Sequence, residues 1–186
     1  MNRREAVQHI ALLLGGSLVG ANAFLTGCKT STGKEAAFSA NDIAYLDEIA
    51  DTILPATGTP GAKAAKVGQF MTVMINDCYE ESEQKTFREG MEKINSLSDQ
   101  AYSKSFMETT PEQRLQLLVK LDNEQKEYTK NKKEKDPAHY FRMMKELTLL
   151  GYFTSEIGTT QARRYVAVPG KYESCIPYKK GDKAWA

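Results

Sequence analysis

Val67, Phe70, Met71, Met74, Ile75 and Cys78 recur at steps of three and four, so a helix over this stretch is apolar along one whole side. The same period returns along most of the chain. Ser39, with Asp42 three residues on, reads as a helix start, and Ile43, Leu46, Ile49 and Ile53 follow at helical spacing until Pro55 stops the run. "PATGTPGAKA" is then a loop. Phe87, Met91, Ile94, Leu97 and Ala101 predict a third helix, weakened by Gly90. Thr110-Pro111-Glu112-Gln113 opens a fourth, with Thr as cap, Pro at the first position and Gln reaching back, and Leu115, Leu118 and Leu121 as its buried stripe. "KNKKEKD" is a solvated connection, and Asp136-Pro137 opens a last long helix to about Ile157, with Gly158 as its stop. Beyond it the period fails. The tail mixes Pro169, Gly170 and Pro177 with Tyr165, Val168, Tyr172, Ile176 and Trp185, too aromatic for a disordered segment. No hairpin signal or internal repeat interrupts the pattern. The expected fold is all-α, a small bundle of about five helices with an irregular C-terminal extension.

The first residues have a different character. Arg3 and Arg4 precede a run from Ile10 to Leu25 that holds Gly15, Gly16 and Gly20 and is too short for a membrane span of about 20 residues. Basic, then apolar, then small is the layout of an export signal. Leu25-Thr26-Gly27-Cys28 has the form of a bacterial lipobox, in which the chain is cut before a cysteine whose thiol carries lipid. The expected organisation is therefore a signal over 1–27, a lipidated tether over 28–38 and a helical domain over 39–186. Arg3-Arg4 suggests twin-arginine export, although Glu5-Ala6-Val7 matches that motif only in part and general secretion stays open. These features place the protein on the periplasmic side of a bacterial membrane, held through Cys28.

Removing 1–27 from the 186 residues leaves 159, with 23 Lys+Arg (25 less Arg3 and Arg4) against 23 Asp+Glu (24 less Glu5). A neutral chain offers no electrostatic case for nucleic acid. Cys78 and Cys175 remain after lipidation; an oxidising compartment allows a disulfide between them, and two separate thiols are the other possibility. Motifs with a mechanism are absent: no haem-attaching C-x-x-C-H, no phosphate loop, no dinucleotide fingerprint and no H-E-x-x-H. His139 reads as a partly exposed helix-start residue rather than a base. Asp47, Glu48 and Asp51 read as a solvated acidic face rather than a cation site. Glu146 and Glu156 are too far round their helix to pair by spacing. Met71, Met74, Met143 and Met144 read as core. No catalytic, cofactor-binding or metal-binding residue is expected.

"LDEIADTILPATGTPGAKAAKV" and "KELTLLGYFTSEIGTTQARRYVAVPGKYESCIP" followed by "KAWA" resemble the gluconate 2-dehydrogenase subunit 3 family. The resemblance spans about 39–186 and is least distinctive over 80–135. It implies a non-catalytic small subunit beside a large FAD-carrying dehydrogenase of the glucose-methanol-choline type, with a cytochrome c as a further partner in many members. Such a subunit aids folding, export or stability of a partner that oxidises a sugar, sugar acid or glycoside. The lipobox departs from the many members that have only a twin-arginine signal, and makes this chain a tether in its own right.

Aromatic residues and Arg anchor interfaces, so the last helix and the tail are the expected partner surface: Tyr152, Phe153, Glu156, Arg163, Arg164, Tyr165, Tyr172 and Trp185. The competing expectation is a tail that wraps its own bundle. Two other readings of the whole chain are a stand-alone enzyme using His139 with a carboxylate, and a ligand-binding lipoprotein with a pocket between helices.

Overall fold

The computed structural model describes residues 37–133 and 136–186. Arg3, Arg4, Cys28 and the expected signal and tether up to residue 36 lie outside the described residues. Among the described residues five α-helices form: α1 (Ala40–Ile53), α2 (Val67–Cys78), α3 (Glu81–Tyr102), α4 (Pro111–Asn131) and α5 (Tyr140–Thr154). A 3-10 turn, Phe106–Glu108, joins α3 to α4, and a π-helical turn, Gly158–Ala162, follows α5. The expected all-α bundle is the fold, and residues 38–186 form one compact unit.

The helix starts follow local chemistry. At α1 the Ser39 hydroxyl accepts from Asp42 N (3.2 Å) while Asp42 Oδ2 accepts from Ser39 N (2.8 Å). At α4 Thr110 and Gln113 make the same exchange, with Pro111 in the first turn. Helix α2 has no cap of its own. Lys66 precedes it in the left-handed region (φ 55°) and contributes no side-chain bond. The cap comes from another helix: Asp47 Oδ1 on α1 accepts from Gly68 N at 2.7 Å. That contact requires glycine, since a Cβ at 68 would lie 2.5 Å from the Ile43 carbonyl oxygen and 2.7 Å from Asp47 N.

Helix α5 is the centre of the bundle and touches each of the other four. It buries Tyr140, Phe141, Met143, Met144, Leu147, Thr148, Gly151 and Tyr152, leaving one exposed strip at Glu146, Leu149 and Leu150. Around it pack Leu46, Ile49, Val67, Met71, Ile75, Phe87, Ile94, Phe106 and Leu121, with Met74 at the edge of the same core. Each of these large side chains contributes about 1.5–3 kcal/mol by leaving water. Gly90 does not interrupt α3, and its propensity cost is offset because it lets α5 approach: a Cβ there would lie 2.5 Å from Cβ, Cγ and Cδ2 of Tyr140.

Three boundaries differ from the sequence expectation. The stripe of α4 is Leu117, Leu118, Leu121 and Gln125, and Leu115 is 53% exposed beside Ile53 and Val119. Helix α5 begins at Tyr140, not at Asp136, because His139 caps it: its Nδ1 accepts from Phe141 N at 3.3 Å. Nor does Gly158 stop a helix. The break is at Ser155, and Gly158 is buried against the Tyr152 backbone as the chain rewinds.

His139 is buried rather than partly exposed, stacked between Tyr140 (4.3 Å) and Tyr128 (5.4 Å). Burial pushes its pKa down, against the pull of Glu124, whose Oε1 is 3.6 Å from Nε2; Lys93 adds to the depression. The capped state needs Nδ1 unprotonated.

Three outcomes follow from these contacts. Asp47→Ala should cost about 1–2 kcal/mol, as for loss of a helix cap. Asp47→Asn, which keeps an acceptor, should cost much less, since burial already holds the Asp47 pKa above its ordinary value against the Gly68 N–H. Equal melting temperatures for the two variants would remove the cap from the account. Gly90→Ala gains about 1 kcal/mol of helix propensity but meets a fixed Cβ, where overpacking costs about 1–3 kcal/mol. A net fall in Tm of a few degrees is expected on a thermal melt. Finally, a depressed His pKa gives stability that is complete above about pH 6.5 and declines as pH falls below it, where the unfolded chain takes up the proton. Tm of the wild type should therefore drop more between pH 7 and pH 5 than that of His139→Asn, which caps without titrating; parallel slopes would contradict it.

Candidate functional site

After the π turn the chain leaves the bundle, and every residue from Tyr165 to Ala186 is exposed. It returns on itself at one point. Arg164 N donates to the Ala184 carbonyl and Ala186 N to the Arg164 carbonyl, both at 2.8 Å, forming a parallel bridge between Arg164 and Trp185. The Arg164 guanidinium lies 4.4 Å over the Trp185 ring, and Lys183 Nζ donates to the Gln161 carbonyl. Beneath this clasp, Arg163 covers the Phe153 ring at 5.2 Å and donates to the Phe153 carbonyl. The loop 165–184 is thus closed at its base and tied to the end of α5, but not packed on the bundle.

What the loop presents is apolar. Tyr172 is 92% exposed, Val168 82% and Tyr178 75%, with Tyr165 and Trp185 more than half exposed. Val166, Pro169, Tyr172, Ile176 and Trp185 line a cavity of about 400 Å³, with the Lys171–Glu173 ion pair (2.6 Å) also in its wall. A soluble chain rarely displays such a patch unless something covers it.

The predicted interface residues divide accordingly. Tyr165, Tyr172 and Trp185 are on the loop and exposed, as is Glu156 before the π turn. Tyr152 is not available: it is 5% exposed and its hydroxyl donates to the Pro60 carbonyl at 2.7 Å. The last helix supplies much of the core, and its exposed strip is Glu146, Leu149 and Leu150 rather than Tyr152. Phe153 packs against that core, and Arg163 and Arg164 are spent on the clasp. The tail does not wrap its own bundle. Val166, Val168, Ile176 and Tyr178 complete the exposed set, and their alternation with Pro and Gly is the available sequence signal.

Other candidates resolve into structure. Glu48 pairs with Lys63 (2.7 Å) and with Arg114, and Asp51 Oδ1 accepts from Lys63 N (3.3 Å). Burial raises the Glu48 pKa, but the hydrogen bonds and charge of Lys63 and Arg114 outweigh it and the net shift is downward. The acidic face is therefore half-buried and already paired: it seats the 54–66 loop and α4. Among the described residues no three His, Cys, Asp or Glu groups are placed to hold a metal ion. His139 is committed to capping α5. Cys78 and Cys175 are free and exposed, Cys78 at the end of α2 and Cys175 out on the loop, so the bridge between them is not made. Met71, Met143 and Met144 are buried core.

Among the described residues, open clefts lie between the helices. The one formed by Asn41, Asp42, Tyr45, Glu92, Asn95 and Ser105 measures about 290 Å³. Most of its polar groups are already used: Asp42 and Ser105 in capping bonds, Asn95 on Phe106 N, and the Tyr45 hydroxyl on the Met91 carbonyl. A pocket with a few convergent free polar groups is not formed there.

No curated protein matches the chain, and no solved structure does. The family model for gluconate 2-dehydrogenase subunit 3 matches residues 40–170, which takes in all five helices, the π turn and the start of the loop. With well over half of the sequence matched, this chain belongs to the gluconate 2-dehydrogenase subunit 3 family.

Proposed function

We propose that the chain is the non-catalytic small subunit of a membrane-attached, FAD-dependent dehydrogenase acting on a sugar, sugar acid or glycoside. Membership of the family implies association with the other subunits of a dehydrogenase complex. The flavin belongs to a large partner of the glucose-methanol-choline type, and a cytochrome c is the candidate electron acceptor. In this reading the chain is exported, lipidated at Cys28 and held on the periplasmic side of the membrane, where it stabilises and tethers the large subunit.

The observation that carries the reading is the clasped loop. Its aromatic surface is held in a defined shape and left uncovered, which suits a subunit whose interface is completed by another chain. The titratable groups that a catalytic reading would need are occupied elsewhere: His139 as a cap, Glu48, Asp51 and Asp47 as internal acceptors. Those commitments also weigh against a stand-alone enzyme built on His139.

Isolation of the tagged protein from native membranes in mild detergent should yield a yellow complex with FAD bands and a large second subunit, and cytochrome bands would identify the acceptor. In Cys28→Ser the same complex should move from the membrane to the soluble fraction. A colourless single chain from membranes would refute the subunit reading, and unchanged membrane attachment of the variant would refute the lipid anchor.

A further inference from the structure

The loop differs from the rest of the domain in charge as well as in exposure. Residues 38–162 carry 15 Lys+Arg against 20 Asp+Glu, a net −5, whereas residues 163–186 carry six against two, a net +4. Among the described residues the two poles are joined at the clasp and through Arg163 beneath it. Within the loop, Arg163, Arg164 and Lys183 are engaged at its base and Lys171 is paired with Glu173. Lys179 and Lys180 have no ion-pair partner among the described residues. They sit on the exposed return of the loop beside Tyr178 and the turn made by Asp182 Oδ2 and Lys179 N (3.0 Å).

From this we infer that the loop docks on an acidic segment of the large subunit, whose apolar side chain enters the cup lined by Val166, Pro169, Tyr172, Ile176 and Trp185 while its carboxylates meet Lys179 and Lys180. The inference rests on the subunit reading and specifies the chemistry of its interface. One feature selects a protein over an anionic lipid surface, the other class of ligand for a basic aromatic loop. The apolar residues line a concavity of about 400 Å³, which accepts a protruding side chain and not a flat layer of headgroups. Opposite charge on the two partners orients their encounter, and the net negative body repels the same acidic segment elsewhere on the surface. The loop is thereby the electrostatically favoured point of attachment for such a partner.

The test uses the full chain, tagged and expressed in its native host, as wild type, as Lys179→Glu/Lys180→Glu and as Tyr172→Ser. All three positions are exposed, so the melting temperatures should match, and a melt of each variant checks this. Membranes are solubilised at about 50 mM and about 500 mM NaCl, conditions in which the Debye length falls several-fold. Each variant is also mixed with phosphatidylglycerol vesicles. The large subunit should co-isolate with the wild type at low salt. Its yield should fall on the order of tenfold or more in the double charge reversal, where like charges face each other. It should fall comparably in Tyr172→Ser at both salts, and the wild-type complex should weaken at high salt. If the wild type holds the large subunit and both variants hold it equally, the docking inference is overturned while the subunit reading stands. It is overturned in the same way if the variants keep the large subunit but lose vesicle binding, which would assign the loop to lipid. If the wild type brings down no large subunit at low salt, the subunit reading fails and the inference fails with it.

Discussion

One carboxylate on α1 supplies what the second helix cannot supply for itself. Without the Asp47 acceptor, the first turn of α2 would bury an amide with no partner, at a cost of about 1–3 kcal/mol. The bond is possible only because residue 68 is glycine, so the backbone of α2 lies directly on α1. Once those two helices are joined, the loop between them has little freedom. Asp51 fixes its backbone at Lys63, Glu48 holds the Lys63 side chain, and the Tyr152 hydroxyl reaches the Pro60 carbonyl from α5. The segment "TILPATGTPGAKAAKV" is therefore distinctive for structural reasons. Its acidic neighbours on α1, with Gly61 and the adjoining Gly68, form a joint, and those carboxylates are committed to it.

The joint also sets the position of the clasped loop. Tyr152 and Gly151 end α5 against Pro60 and Phe70, which fixes where the chain emerges at Ser155. The π turn that follows is closed by Arg163 N on the Gly158 carbonyl (3.0 Å), and Arg163 returns its side chain to Phe153. A π turn is rare and marks a place where an extra residue is accommodated for geometry. Here it delivers Arg164 to the clasp. Rigidity thus passes from the α1–α2 joint through α5 to the base of the loop, and preorganisation of this kind reduces the ordering cost of binding.

Much of this is legible in the sequence where the chemistry is local. The capping pairs Ser39/Asp42 and Thr110/Gln113 act over three residues and can be read directly. The apolar period of α2 is equally plain. Tertiary effects are not. Leu115 has the right spacing for a stripe, but the partner helices lie half a turn away, so Leu117 is inside and Leu115 outside. His139 starts a helix as expected, yet its burial depends on Tyr128 from another helix. The end of "YFRMMKELTLLGYFT" reads as a face offered to a partner, whereas apolar residues on all sides of a helix signal a central one. Gly90 and Gly158 look like breakers in one dimension and are close approaches in three. The tail is recognisable as aromatic and non-helical, but whether it packs on the bundle depends on surfaces far from it in sequence.

The division of charge gives the domain a direction. In the bundle, several ions are held in pairs: Asp122 takes Lys126 and Lys145, and although burial alone would raise its pKa, those bonds with that of Gln125 hold it at about 2. Arg114, almost buried, is anchored to Glu48 and to the carbonyls of Phe106 and Met107. Such groups are fixed parts of the scaffold. The cations on the return of the loop have no comparable partner within the described residues, and they stand next to a large uncovered aromatic surface. A protein that needed only to fold would gain nothing from keeping its apolar loop and its unpaired positive charge together in water. Placed against a surface of opposite charge, the same loop buries its aromatics and neutralises its lysines in one step, so the domain's folding and its attachment are served by different residues.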